Sequence, residues 1–147
     1  RILSDTRGSM FVTAFFGILE PLTGRLIYAN AGHPPGFLIN TQHGHQSIEY
    51  LRPTGMSLGV TDQAEWKQKI VKLHAGDLLV LYTDGITEAD NGQGEFFGEE
   101  RLLDILLGKT GRPSREILAG VLDEVHRFVG SAPRQDDIAL IAIRRTA

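Results

Sequence analysis

An α+β fold with a largely antiparallel sheet is what this sequence predicts, and three observations predict it. Short β-rich runs punctuated by glycine and proline fill residues 10 to 83. Two stretches of helical period follow, over residues 99 to 107 and 114 to 129. One further apolar run, "IALIAIRR", closes the chain. Strands gathered first, then helices, then a last strand, are the order of an α+β domain.

Each element has its own reason. "MFVTAFFGIL", residues 10–19, is rich in Phe, Val, Thr and Ile, which pack well on a pleated surface. "EPLTG" supplies a turn, and "RLIYANA" reads as the return strand of a hairpin. The two prolines of "GHPPG" remove two backbone donors and stop that strand. "FLIN" and "SIEYL" read as two more strands. "EWKQKIVKL" alternates imperfectly, and the "HAGD" turn after it favours a strand over a helix. "LLVLYT", residues 78–83, is nearly all apolar, as a strand buried on both faces is.

In "EERLLDILL" Leu102, Leu103 and Leu106 share a helical face, with Gly108 as a stop. In "SREILAGVLDEVHRFV" the residues Ile117, Leu118, Val121, Leu122, Val125, Phe128 and Val129 recur at the helical period. Ser114 suits an N-cap, Glu116 the first turn, and Gly130 the position after the last. There is no repeat, linker or low-complexity tract, and residues 1–147 read as a single domain.

Composition narrows the function. A net charge of −3 and an isoelectric point near 5.9 give no basic footprint, which argues against a nucleic-acid partner. No apolar stretch approaches a membrane span, and "RILSDTRGSM" has no signal-peptide pattern. The chain has no cysteine, which excludes disulfides, zinc-thiolate sites and a cysteine nucleophile. These features agree with a cytoplasmic setting.

The chemistry worth testing is acidic. Asp84 directly follows the apolar run, and Asp136 and Asp137 directly precede the last one. If the two strands are antiparallel neighbours, their acids meet at one sheet edge, about 5 Å apart. Close carboxylates repel, and a divalent cation removes that conflict. Oxygen-only donors suit Mg²⁺ or Mn²⁺ better than zinc. The bland reading stands beside this one, since Asp-Gly after a strand is ordinary turn chemistry, and so is Asp-Asp before one. Glu88 reads as a solvated carboxylate with a possible outer place near Asp84, and Asp90, Glu95, Glu99 and Glu100 as a loop or helix start. His33 reads as a structural loop residue. His43, His45, His74 and His126 read as surface residues, and no serine has a nucleophile-elbow context. "GQGEFFGEERL" lacks the pattern of a nucleotide-binding loop. A haloacid-dehalogenase nucleophile would need Asp-x-Asp, and "YT" precedes Asp84.

Four stretches together carry a resemblance: "FVTAFFGILEPLTGRLIYANAGHPP", "GDLLVLYTDGITEA", "FFGEERL" and "RQDDIALIAIRR". In this order they resemble the metal-dependent PPM (protein phosphatase 2C-type) phosphatases, in the bacterial branch of the sporulation stage II protein E and anti-sigma-pathway enzymes. The resemblance implies an antiparallel β-sandwich flanked by helices. It implies two or more Mn²⁺ or Mg²⁺ ions at one end, where water attacks a phosphoserine or phosphothreonine of a signalling protein such as an anti-sigma-factor antagonist, without a covalent phosphoenzyme. By motif match Asp84 and Asp136 correspond to metal-binding, catalytic aspartates, and Asp137 is the weaker ligand candidate. "IAL" stands where many relatives carry a hydroxyl residue after the isoleucine.

The family's earlier Gly-Asp-x-x-Asp and Asp-x-Ser-Gly-x-Gly elements are not found in this sequence. The expectation is therefore the C-terminal portion of a phosphatase domain, lacking its N-terminal strands and helices, with residues 1–9 as the tail of a helix. On that expectation the chain alone has weak activity or none, and open sheet edges favour a homodimer. The competing reading is a catalytically inactive PPM-like module for binding or oligomerisation.

Overall fold

The computed structural model describes residues 11–133 and 136–146, except the side chain of His43. The expected helix tail at residues 1–9 and the Arg134–Gln135 part of the "RQDDIA" motif lie outside the described residues. Among the described residues there are seven strands and three α-helices: β1 (Ala14–Glu20), β2 (Arg25–Ala31), β3 (Gly36–Asn40), β4 (Ser47–Leu51), β5 (Lys69–Lys72), β6 (Leu78–Tyr82), α1 (Asp84–Thr87), α2 (Gly98–Gly108), α3 (Ser114–Val129) and β7 (Leu140–Arg144). They form a three-stranded sheet, ordered β1-β2-β5, and a four-stranded sheet, ordered β4-β3-β6-β7. All strand neighbours are antiparallel.

The alternation along β2 decides how the sheets meet. Leu26 and Tyr28 are buried, whereas Arg25, Ile27 and Ala29 between them are not. With Phe15 and Leu19 of β1, the inward set packs on Leu38, Leu51 and Leu79 of the other sheet. The opposite face of the four-stranded sheet presents Phe37, Ile39, Val80 and Tyr82 to Leu102 and Leu106 of α2 and to Ile117, Val121 and Val125 of α3. The layers are helices, four-stranded sheet, then three-stranded sheet. This explains β6: its residues 78 to 80 and 82 are buried because core lies on both sides.

Several local expectations shift. The first strand begins at Ala14, since Val12 bonds Leu58 instead, N–H to O at 2.8 Å in both directions. Ser114 is the first helical residue of α3 and caps nothing. Pro113 holds the cap position, and its carbonyl accepts from the Glu116 and Ile117 amides. Proline's fixed φ suits that entry, and it needs no donor there. Gly108 is the last residue of α2, with Lys109 after it. Gly130 ends α3 at a φ of 59°, a left-handed conformation that costs glycine little.

Two buried polar residues hold the loops. The Asn30 amide donates to the His33 and Leu51 carbonyls, each at 3.1 Å, and its oxygen accepts from the His33 N–H at 2.8 Å. The "AGHPPG" loop is thus held through the His33 backbone, in line with a structural role. The fully buried Asp77 accepts from the Thr41 and His74 amides and from the Gln42 side chain, and its Oδ2 lies 3.3 Å from the His74 Nδ1.

Candidate functional site

Asp84 does not sit in a hairpin turn. It opens α1, a single helical turn of four residues at the end of β6. A carboxylate is favoured in a helix's first turn, beside unpaired amides. Its Oδ1 accepts from the Gly85 N–H at 3.1 Å.

Thr83 ties this turn to the start of β7. The β6–β7 ladder runs as far as Tyr82 opposite Leu140. Thr83 then continues it with both backbone and side chain. Its N–H donates to the Ala139 carbonyl at 3.0 Å, and its hydroxyl accepts from the Ala139 N–H at 2.9 Å. The same hydroxyl donates to the Asp137 carbonyl at 3.2 Å. Strand β7 begins at Leu140, two residues later than its apolar run suggests, and the residues just before it are held through Asp137 and Ala139 by this hydroxyl.

Gly85 lets the two segments close up. A Cβ there would overlap the Asp137 carbonyl oxygen and would stand 3.6 Å from the Asp136 Cβ. The acid that follows β6 and the acids that precede β7 accordingly share one end of the four-stranded sheet. All three aspartates are exposed. Asp136 spends one oxygen on the Asp137 N–H, at 2.7 Å. Among the described residues, no three His, Cys, Asp or Glu side chains group as a metal cage. The arrangement supplies oxygen donors of the kind Mg²⁺ or Mn²⁺ takes, but only part of a full set.

Beside Asp136 opens a cleft of about 450 Å³ between α1, the loop after it and the end of α3. Gly85 and Asp136 line it, as do Glu88, Asp90, Phe96 and His126. Glu88 lies four residues after Asp84, one turn along α1. The sequence placed Glu88 near the site but gave no sign of the cleft, whose walls come from α1 and the loop after it on one side and from the end of α3 and the segment before β7 on the other. Glu95, Glu99 and Glu100 do not line it. Glu95 instead bonds Arg101, and Glu99 accepts from the Tyr82 hydroxyl. Of the other histidines, His74 pairs with Asp77, and His33 lies 3.3 Å from the Thr13 hydroxyl.

Comparison with known proteins bears on the family and the fold. The family model described as Stage II sporulation protein E (SpoIIE) matches residues 1–146. Protein IcfG of Synechocystis sp. is 34% identical over 93% of this chain and 21% of its own length. The phosphoserine phosphatase RsbU of Bacillus subtilis is 28% identical over 93% of this chain and 40% of its own. The chain thus spans well under half the length of either relative. Among solved structures, the RsbU and RsbW domains of Rv1364c from Mycobacterium tuberculosis superpose with a TM-score of 0.73, at 26% identity over 92% of this chain and 36% of that one. The Mn-presoaked phosphatase domain of SpoIIE from Bacillus subtilis superposes with a TM-score of 0.67, at 19% identity over 92% of this chain and 56% of that one, a likeness of fold.

Proposed function

The chain belongs to the Stage II sporulation protein E family of PP2C-type phosphatase domains, and on that premise we propose that it forms the C-terminal part of a protein serine/threonine phosphatase catalytic domain. The observation that carries the reading is the Thr83 tie, which holds the Asp84 turn against the 136–139 segment at one sheet end. In this reading Asp84 and Asp136 hold Mn²⁺ or Mg²⁺, with Asp137 beside them as the weaker ligand. Held there, such ions would supply charge neutralisation and a water of lowered pKa for attack on phosphorus.

The chain's own contribution is placement. Gly85 gives the Asp137 carbonyl room to approach, and Thr83 fixes that carbonyl, so Asp136 cannot swing away from α1 without losing the tie. Exposure of the aspartates leaves them open to a phosphorylated side chain on a protein surface. The substrate in this reading is a phosphoserine or phosphothreonine protein of a signalling pathway, such as an anti-sigma-factor antagonist. The setting is the cytoplasm; no described helix is long and apolar enough to cross a membrane. The residues described give only part of a ligand set, so the remaining donors come from elsewhere in the complete domain, and the 147-residue chain alone has little or no turnover.

One observation favours a second reading. The absence of a three-ligand group among the described residues fits an inactive module that binds a partner or a second copy. Titration with Mn²⁺ separates the two. The phosphatase reading expects weak binding by the wild type, and a loss in Asp84→Asn and in Asp136→Asn. Equal, negligible binding by all three, together with a full-length protein that does not hydrolyse p-nitrophenyl phosphate in Mn²⁺, would leave only the inactive module.

A further inference from the structure

The cleft beside Asp136 carries a chemistry that the paired aspartates do not use. Asp90 and Phe96 face each other in an isolated antiparallel bridge. Such pairing puts two side chains on the same side, about 5 Å apart at Cβ. Both line the cleft. Phe96 is 54% exposed, a large apolar ring left open to solvent. Asp90 spends one oxygen on the Gly92 N–H, at 2.5 Å, which fixes the carboxylate and leaves its second oxygen for a partner.

No lysine or arginine of the described residues lines the cleft, whereas Glu88, Asp90 and Asp136 do. The nearby Arg101 is already engaged, with the Glu95 carboxylate and the Phe96 and Phe97 carbonyls. The end of the cleft formed by Glu88 and Asp90, away from the Asp136 that the phosphatase reading gives to metal, repels an acidic side chain. It attracts a long cationic one, whose methylenes lie on Phe96, Val129 and Ile138 while its head reaches Asp90.

Resting on the phosphatase reading, we propose that this cleft is a specificity subsite for an arginine or lysine side chain of the phosphoprotein substrate, close in sequence to the phosphorylated residue. Gly85 and Asp136 belong to the cleft wall and to the aspartate site alike. An extended peptide advances roughly 3.3 Å per residue, so a chain with its phosphate at the aspartates brings a residue one to three positions away to the cleft.

The test uses the full-length protein and fluorescent phosphoserine peptides that differ at one flanking position, carrying Arg, Lys, Leu or Glu. Anisotropy in EDTA reads binding without metal, and kcat/KM in Mn²⁺ reads turnover. At one flanking position Arg or Lys is expected to outperform Leu by about tenfold, the size of a partly exposed ion pair with a ring beneath it, and Glu to rank last. Asp90→Asn keeps the acceptor for the Gly92 N–H and removes the charge; Phe96→Ala removes the ring. Each is expected to reduce the preference to about threefold or less, through KM, while p-nitrophenyl phosphate, which has no flanking side chain, reads the chemistry alone. A flat profile, a preference for Leu, or a cationic preference that survives both substitutions overturns the subsite. Failure of the phosphatase reading shows separately, as absent Mn²⁺-dependent aryl phosphate turnover, and the EDTA binding profile still decides the subsite.

Discussion

The two sheets carry similar apolar residues on their outer faces and treat them differently. On the four-stranded sheet, Phe37, Ile39, Val80 and Tyr82 lie beneath α2 and α3 and are 0–3% exposed. On the three-stranded sheet, Phe16 pairs across from Ala29, and Ile18 and Ile70 flank Ile27 in register, so all five share its outer face. Phe16 is 66%, Ile18 53% and Ile70 59% exposed. Among the described residues no helix covers that face. Alternation settles which residues turn inward, but an apolar outer face records a need for cover without supplying it.

The largest expected contrast is energetic. Leu102→Ala or Val121→Ala opens a cavity between helix and sheet, at a cost of about 3 kcal/mol or more. Ile18→Ala removes a side chain that is already half in water, and its cost is expected within about 1 kcal/mol. Urea unfolding of the three variants compares them directly. Similar losses at both faces would mean that the three-stranded sheet is covered after all.

Next in size is the seam between the sheets. Asn30→Ala removes the partner of the His33 amide and of the His33 and Leu51 carbonyls. Leaving such groups unpaired in a buried place costs about 2 kcal/mol. The expected signature is early hydrogen exchange of the His33 amide. Unchanged protection there would show that water replaces the amide without loss.

Tyr82 gives the covered face a pH dependence. Burial raises its phenol well above the ordinary value, and the Glu99 carboxylate, which accepts its hydroxyl at 3.3 Å, adds to the rise. The unfolded chain releases this proton near pH 10 while the folded one keeps it. The contribution is therefore fully present below pH 10, and stability falls as pH rises beyond it, by up to about 1.4 kcal/mol per unit for one group. Tyr28, on the inner face of the other sheet, is raised in the same direction by burial and by Glu49. Tyr82→Phe is expected to flatten the alkaline slope more than Tyr28→Phe. The reverse order, in unfolding at pH 9 to 11, would place the drier environment between the sheets.

Much of this arrangement was legible in the sequence, for reasons that differ by element. The apolar run of residues 78–82 announced a strand with core on both sides, and the four-residue recurrence of Ile117, Val121 and Val125 announced the helix that covers it. Both signals are periodic, and burial enforces them along the whole element. The diversion of Val12 to Leu58 was hidden, because strand propensity says nothing about partners far along the chain. Asp-Gly after β6 reads equally as turn or helix start, and only the Thr83 hydroxyl, bound across to residues 137 and 139, selects the helix. That Gly85, directly after β6, lies against residues 136 and 137 follows from the antiparallel pairing of β6 and β7. The cleft beside them does not, since the Asp90–Phe96 bridge has no periodic signature.

The smallest effect on folding, and the most direct test of the contrast, lies on the bare face itself. An exposed patch holding Phe16, Ile18 and Ile70 favours association, and β1 and β5, which among the described residues are the edges of their sheet, offer unpaired backbone groups beside it. The 147-residue chain is expected to form dimers whose population rises with concentration in light scattering. Phe16→Glu and Ile70→Glu place a charge in the middle of that patch. Each is expected to yield a monomer while changing unfolding free energy by no more than about 0.5 kcal/mol, as for other solvent-facing substitutions. A wild-type monomer at every concentration would mean that the face is not sticky despite its composition. Dimers that survive both charges would move the contact to a strand edge, where backbone pairing tolerates a changed side chain, and the bare face would then lose its part in assembly.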